Sequence, residues 1–315
     1  MISFLDREDV DRALGRVDVV DVVREVLLDH RAGRTVLPEE AYLAWSTPGG
    51  GSARSICLPA RVPRGVGVKI VNANPSNPEA GLPRASALVV LFDEESARPQ
   101  IVMDGTAISA LRTAAVSALA VMTFAADAGT LGVVGCGPLA QAHLDALLPR
   151  LPGLRRLILH DLVPARAEAL GAEVAGPEVS IGGSAREVAE GADVLVLTTT
   201  AAEQYVPFAW VARCALVVNV SLGDLCDDVF LEAARIVVDD LAMVVSDTRR
   251  PLGRLIRSGE VNRPGGPPPC VAGDLADFLD GDVEPLSGPT VVNPFGLGVC
   301  DIAVAAAVAE HAAPT

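Results

Sequence analysis

From Leu131 onward the chain alternates short apolar runs with alanine-rich stretches of helical character, and this alternation restricts the fold more than any other feature. The runs are Leu131–Val134, Arg156–His160, Asp193–Thr198, Leu216–Val220 and Ile236–Asp239. Each is short and aliphatic, as expected for a strand buried on both faces. Strands joined through helices lie parallel, because a parallel neighbour is reached only by a long crossover. The expectation is an α/β fold built on a doubly wound parallel sheet. Half of the residues are hydrophobic but only 3% are aromatic, so the core must be made of Val, Leu, Ala and Ile. At 315 residues the chain outgrows a single core, which leaves room for two domains.

The portion before Leu131 has a different texture. Asp18 to Leu28 places apolar residues at helical spacing, so the N-terminus is read as opening with an amphipathic helix. Ala41–Trp45 and Ser55–Leu58 read as strands around the break Thr47-Pro48-Gly49-Gly50-Gly51-Ser52. A strand around Lys69, a loop from Asn72 to Pro83, and strands Ala85–Phe92 and Pro99–Met103 complete a strand-rich portion expected to be antiparallel. Thr106 to Ala126 and Ile302–Ala312 read as helices, and Arg263 to Pro269, with three consecutive prolines, as a loop.

Charge and composition exclude several function classes. A net charge of −15 argues against nucleic acid or anionic lipid as a partner, since both are held by surplus Lys and Arg. No uninterrupted apolar run reaches the ~18 residues of a membrane span, and the acidic N-terminus is unlike a signal peptide. The expected location is cytoplasmic. Cys57, Cys136, Cys214, Cys226, Cys270 and Cys300 are scattered without metal-ligand spacing, and His30, His143, His160 and His311 form no cluster, so reduced thiols and no metal site are expected.

The most informative local motif is Gly132-Val133-Val134-Gly135-Cys136-Gly137-Pro138-Leu139-Ala140, a G-x-G-x-x-A turn between a strand and a helix. Gly135 permits the tight turn, Gly137 lets a pyrophosphate approach the backbone, and Ala140 allows close helix–strand packing. The next strand ends in Asp161, where an acid meets the adenosine ribose diol. NAD(H) is the expected cofactor. Arg166 could answer a 2′-phosphate, but Asp161 opposes that charge and places NADP(H) second. The other reading is a glycine turn that binds no dinucleotide. Thr198-Thr199-Thr200 falls on the ligand-facing edge of such a sheet and reads equally as a β-branched strand end.

Three further residues stand out. Lys69 is the only lysine among 25 Lys and Arg residues, and it lies in the apolar stretch Gly67-Val68-Lys69-Ile70-Val71. An ammonium there needs a carboxylate, a ligand or water; the alternative is a strand-edge lysine reaching solvent. Arg112 sits in an apolar helix, and its fork would suit a substrate carboxylate or cofactor phosphate, or a structural salt bridge such as one with Asp104. Asp224 ends a parallel strand, where a carboxylate can take a proton from an amine or orient water. Capping the following helix is its competing role.

These residues occur in a familiar order. Val68-Lys69-Ile70-Val71-Asn72, Asn74-Pro75-Ser76-Asn77-Pro78, Leu111-Arg112-Thr113-Ala114-Ala115, Gly135-Cys136-Gly137 and Gly223-Asp224 resemble the ornithine cyclodeaminase/mu-crystallin family over nearly the whole chain. Leu82-Pro83-Arg84-Ala85-Ser86, Val237-Val238-Asp239-Asp240 and Asn293-Pro294-Phe295-Gly296 are similar to the branch of dehydrogenases acting on N-(2-amino-2-carboxyethyl)-L-glutamate in diaminopropionate biosynthesis.

The resemblance implies a discontinuous organisation. Residues 1–112 with 291–315 would form an α+β substrate-binding and dimerisation domain, and 113–290 an inserted Rossmann domain. It implies that Lys69 and Arg112 hold the substrate carboxylate and that Lys69 and Asp224 are catalytic. Arg54 and Arg84 would assist with substrate. Relatives commonly carry another carboxylate-binding arginine near the first strand, where this chain reads Ala41-Tyr42-Leu43-Ala44-Trp45, which leaves Arg54 or Arg34 to compensate. Arg112, Thr113, Gly135, Gly137, Pro138 and Leu139 would bind the cofactor, together with Asp161, Thr199, Asn219 and Ser221.

The implied activity is NAD-dependent oxidation of a secondary amine, with hydrolysis to 2-oxoglutarate and 2,3-diaminopropionate for siderophore or peptide natural-product biosynthesis. Ornithine cyclodeamination, imine reduction and non-catalytic ligand binding are the alternatives. A homodimer taking a small amino-acid substrate is expected.

Overall fold

The computed structural model describes residues 2–221, 223–284 and 286–312. Leu222, two residues before Asp224 in the sequence, and residues 313–315 lie outside the described residues. The chain forms two compact units: one takes the chain up to Arg112 and again from Gly296, and the other is Thr113–Phe295.

The first unit opens with β1 (Ser3–Leu5), α1 (Arg7–Leu14) and α2 (Val19–Arg31). Asp6 caps α1 and Asp18 caps α2, each carboxylate accepting from backbone N–H groups of the first turn. β1 and α1 precede the helix that the sequence places first. The stripe Val10, Ala13 and Leu14 is too short for periodicity to register. Five strands follow: β2 (Ala41–Ser46), β3 (Ser52–Val62), β4 (Gly65–Ala73), β5 (Ala85–Phe92) and β6 (Pro99–Asp104). The sheet order is β1-β6-β5-β4-β3-β2. Because β1 runs parallel to β6 while the other pairs are antiparallel, the sheet is mixed.

The chain then enters α3 (Thr106–Phe124), whose first turn is capped by Asp104 accepting from Thr106 N at 2.9 Å. This helix is 19 residues long with a mean hydropathy of 1.6, long and apolar enough to cross a membrane. It contains no uninterrupted apolar run of that length, since Arg112, Thr113 and Ser117 interrupt the apolar residues without ending the helix. Of its most apolar window, 56% is buried inside the protein.

The second unit begins with β7 (Thr130–Val134), α4 (Pro138–Leu147), β8 (Arg156–His160) and α5 (Pro164–Ala172). It continues through β9 (Glu178–Ile181), α6 (Ala185–Gly191), β10 (Val194–Leu197), α7 (Phe208–Val211) and β11 (Leu216–Asn219). It closes with α8 (Asp227–Glu232), β12 (Arg235–Val238), α9 (Leu241–Ser246), α10 (Pro251–Ser258), β13 (Val271–Asp274) and β14 (Thr290–Val292).

All eight strands are parallel, in the order β13-β12-β14-β11-β10-β7-β8-β9. The expected doubly wound sheet is present, and its order reverses between β7 and β10, where open α/β sheets bind ligands beyond the strand C-termini. Sequence reasoning missed β9, β13 and β14. β14 has three residues between Pro289 and Asn293-Pro294, and only pairing with β11 and β12 makes it a strand. Val291 and Val292 pair there, so the chain rejoins the first unit at Gly296, not at residue 291.

α11 (Gly298–His311) returns to the first unit. Every residue from Gly298 to Val308 is buried, as a helix apolar on all sides must be, and it packs on β3, β4 and β5.

One buried histidine ties α4 to α3. His143 is fully buried, with Nδ1 2.7 Å from Leu139 O and Nε2 2.9 Å from Ser117 Oγ. The carbonyl can only accept, so Nδ1 carries the proton and the serine hydroxyl donates to Nε2. Burial lowers the His143 pKa from 6.5 to about 4. Unfolded His143 therefore takes up a proton that the folded residue refuses, so its contribution is intact above pH 6.5 and is lost as pH falls toward 4. Urea unfolding across that window should lose up to about 3 kcal/mol from this group, and His143→Gln should flatten the slope. An unchanged slope in the variant would show that other groups carry the acid dependence.

Candidate active site

β4 is an interior strand, so Lys69 is not the solvent-seeking edge lysine that the sequence left open. It is 1% exposed, with Leu58 opposite on β3 and Val89 on β5. α11 comes close because its first residue is glycine: a Cβ on Gly298 would stand 3.1 Å from Leu58 Cβ. One turn further along the helix is Asp301, which the sequence analysis did not single out. Its Oδ1 lies 2.7 Å from Lys69 Nζ and 2.9 Å from Arg112 Nε. Lys69 also donates to Ser109 Oγ at 3.2 Å.

Lys69 and Arg112 are thus brought together around one carboxylate oxygen, and Arg112 pairs with Asp301 instead of Asp104. Asp301 Oδ2 is buried without a hydrogen-bond partner among the described residues. Burial, then the Arg112 charge, lower the Lys69 pKa from 10.5 to about 8, with Asp301 opposing them.

Arg54 and Arg84 lie toward one end of the same sheet. Arg54 is directly opposite Ala44 on β2 and opposite Ala73 on β4, which by strand alternation puts it on the Lys69 face. Arg84 precedes β5, and burial, then the Arg54 charge, depress its pKa. Arg54 contributes to a cavity of about 200 Å³ with Trp45, Thr47, Asn72, Asn74, Asn77 and Ser86. Arg34 is held elsewhere, donating to Asp29 through Nε at 2.8 Å and Nη2 at 2.6 Å.

In the second unit the glycine turn has the predicted build. Gly135 adopts φ +91°, and a Cβ there would meet the Thr198 carbonyl carbon at 2.9 Å, so only glycine fits. Gly137 caps α4 with an extended backbone and no side-chain capping bond, and nothing lies within 4 Å of where its Cβ would be. Pro138 and Leu139 open the helix and Ala140 is fully buried. Asp161 braces this turn, accepting from Cys136 N and from Val163 N, both at 2.8 Å. Arg166 Nη1 stands 3.9 Å from Asp161 Oδ1. Thr113 is half-buried in α3.

A second cluster forms beyond the ends of β10 and β11. Asp224 is fully buried; Thr199 Oγ1 donates to Oδ1 at 2.6 Å and Ser221 Oγ to Oδ2 at 2.5 Å. Tyr205 adds a third hydroxyl, missed in the sequence because a lone loop tyrosine carries no periodic signal. Burial raises the Asp224 pKa, while the three hydroxyls oppose the rise. Helix capping is not its role: α8 begins after Cys226 and has no side-chain cap.

Nearby, Asn219 Nδ2 donates to Asn293 Oδ1 at 2.7 Å, both side chains being 3% exposed. Asn219 Oδ1 and Asn293 Nδ2 have no partner among the described residues. Exchanging O and N in both amides leaves the same result, one buried donor and one buried acceptor. That combination suits a carboxamide. Together with the open cradle at Gly137 and the acid after β8, the residues present fit a nicotinamide dinucleotide.

A parallel sheet carrying this turn at its reversal point, with an acid closing the next strand, defines a dinucleotide-fold α/β protein. The chain belongs to the ornithine cyclodeaminase/mu-crystallin family, whose family model matches residues 3–315, as the sequence motifs led one to expect. The chain is 26% identical to the N-((2S)-2-amino-2-carboxyethyl)-L-glutamate dehydrogenase of Staphylococcus aureus, over 98% of this chain and 95% of that protein. The crystal structure of CmnK is 36% identical with a TM-score of 0.91, covering 99% of this chain and 95% of that one. An archaeal alanine dehydrogenase dimer with bound NAD is 26% identical with a TM-score of 0.83, covering 99% and 96%.

The two glycines should separate binding from folding. Gly137→Val fills open space at an ordinary φ, so the melting temperature should hold while the NADH Kd rises at least about tenfold. Gly135→Ala forces a clash at positive φ and should lower the melting temperature itself. Calorimetry and NADH fluorescence titration measure both.

Proposed function

We propose that the protein is an NAD-dependent amino-acid dehydrogenase that oxidises and hydrolyses N-(2-amino-2-carboxyethyl)-L-glutamate, or a close polycarboxylate analogue. The products would be 2-oxoglutarate and L-2,3-diaminopropionate, the latter supplying siderophore or peptide natural-product assembly. The observation that carries this reading is the buried pair of cations sharing Asp301. One anion offsets one of two positive charges, and the remaining charge calls for a carboxylate. The similarity to the S. aureus enzyme supports the substrate class. Arg54, opposite Ala44, stands beside the position where relatives carry another arginine, and with Arg84 it would receive a distal carboxylate.

In this reading Gly135, Gly137, Pro138 and Leu139 hold the pyrophosphate, Asp161 the adenosine ribose, and Asn219 with Asn293 the carboxamide. Thr113, Thr199 and Ser221 line the same ligand. Asp161 favours NAD over NADP, since a 2′-phosphate would meet its charge. When bound, the cofactor supplies the acceptor for the hydride of the substrate Cα. Lys69 and Arg112 fix the carboxylate on that carbon. Asp224 takes the proton from the amine nitrogen as the hydride leaves and returns it to the imine nitrogen; it then takes a proton from the water that adds to the imine carbon and passes it to the departing nitrogen, giving the 2-oxo acid and a free amine. Ser221, Thr199 and Tyr205 hold its carboxylate in place.

A homodimer and a cytoplasmic location belong to this reading. Phe4, Leu43, Trp45 and Leu88, which are 69%, 62%, 44% and 48% exposed, share the sheet face opposite Lys69 by the strand register. An apolar sheet face of this kind suits a second copy. All six thiols are free, in keeping with a reducing compartment. Leu88→Arg should convert a dimer to monomers in light-scattering chromatography; a monomeric wild type would overturn the dimer.

The deciding assay mixes protein, NAD and N-(2-amino-2-carboxyethyl)-L-glutamate, ornithine, glutamate or alanine, following NADH and ammonia together. NADH with 2-oxoglutarate from the first substrate is expected. Ammonia from ornithine without net NADH would instead make the protein a cyclodeaminase. Lys69→Arg should lower kcat/KM at least about a hundredfold with NADH affinity unchanged, because a planar fork cannot replace a point charge in a closed site. Turnover like the wild type would remove Lys69 from the mechanism.

A further inference from the structure

We infer that Asp301 is the positioning residue for carboxylate capture, a shared counter-anion that holds Lys69 and Arg112 charged and convergent at one buried point. The inference rests on the assignment of Lys69 and Arg112 to the substrate carboxylate.

The geometry carries it. Both cations approach the same oxygen, Oδ1, at 2.7 and 2.9 Å. A bridging arrangement of this kind fixes the two nitrogens relative to each other, which two separate salt bridges would not do. Lys69 is 1% exposed, Arg112 9% and Asp301 0%, so water cannot stand in for the carboxylate. Arg112 uses Nε on Asp301, and no hydrogen bond from its Nη groups is found among the described residues. The fork that fits a carboxylate is therefore still available. The cluster of two cations and one anion is one positive charge over, so a single incoming carboxylate completes it.

The groups facing Lys69 come from every element around it. Arg112 and Ser109 lie on α3, Asp301 and Cys300 on α11, and the sheet contributes apolar Leu58 and Val89. Of these, burial and Arg112 push the ammonium toward its neutral form, whereas Asp301 and Cys300 oppose them. Removing Asp301 leaves two like charges buried together, and the ammonium is the one that can shed its proton.

Because Lys69 is the only lysine, protein labelled with [13C]lysine gives one side-chain ε-methylene resonance, whose pH dependence reads this residue alone. The wild-type midpoint is expected near pH 8. Asp301→Asn, which keeps the volume and loses the charge, should lower it by one pH unit or more. Arg112→Gln should raise it, since Asp301 then serves Lys69 by itself; this variant decides the matter if Asp301→Asn does not fold. A midpoint unmoved in either folded variant overturns the shared counter-anion, as does a fall in Arg112→Gln. A merely structural aspartate would lower the melting temperature and leave the Lys69 midpoint in place. Titrating 2-oxoglutarate into the NADH-loaded wild type tests the underlying assignment separately. A shift of the Lys69 resonance supports carboxylate binding, and no shift overturns that assignment whatever the variants do.

Discussion

Two cations buried against one carboxylate oxygen set the terms for the first unit. An ammonium with almost no exposure is tolerable only where a counter-charge meets it at hydrogen-bond distance, and the sheet that contains Lys69 offers none: Leu58 and Val89 flank it. The charge has to come from a layer above the sheet, which explains why α11 must lie so close. Gly298 removes the side chain that would hold the helix off Leu58. Gly67 does the same on β4, where a Cβ would meet Val90 O at 2.4 Å and Ile302 Cδ1 at 3.3 Å. The all-apolar surface of α11 binds it to the sheet without directional bonds, and Asp301 is the one acid on its buried stretch from Gly298 to Val308.

The second unit handles its buried acid differently. Asp224 has hydroxyl partners where Asp301 has cations, so its charge is solvated by neutral donors and its proton affinity stays adjustable. A carboxylate raised by burial and moderated by hydroxyls can take a proton and return it. The two aspartates thus have environments suited to different tasks, one to pair two buried cations and one to exchange a proton.

How far the sequence revealed this follows from the physics of each element. The parallel sheet was legible because five of its strands are uninterrupted aliphatic runs, and the glycine turn because each glycine answers a steric need within a few residues. Lys69, Arg112 and Asp224 stood out as charged groups in apolar surroundings. Asp301 did not, since it falls at the edge of the apolar run starting at Ile302, and its partners are 232 and 189 positions away. Its acid reads as a helix-end residue until tertiary contact puts it under the sheet. Tyr205 is a similar case: a loop tyrosine acquires meaning only from what packs beside it. The short strands β9, β13 and β14 depend on pairing partners for their conformation, so local pattern could not declare them.

The choice of lysine at position 69, in a chain that otherwise uses arginine, follows from the same site. A guanidinium keeps five donors in a fixed plane and stays charged however deeply it is buried. From its strand position Lys69 meets Asp301 Oδ1 at 2.7 Å and Ser109 Oγ at 3.2 Å, a pair of bonds for which a rigid planar fork is poorly suited. An ammonium makes both bonds as a point charge with a proton to spare. Arg112, entering from a helix with its fork still open, supplies the planar geometry that lysine lacks. The pair therefore divides the labour of a carboxylate site, with one cation giving compact charge and the other direction, and Asp301 is what allows both to be present at once.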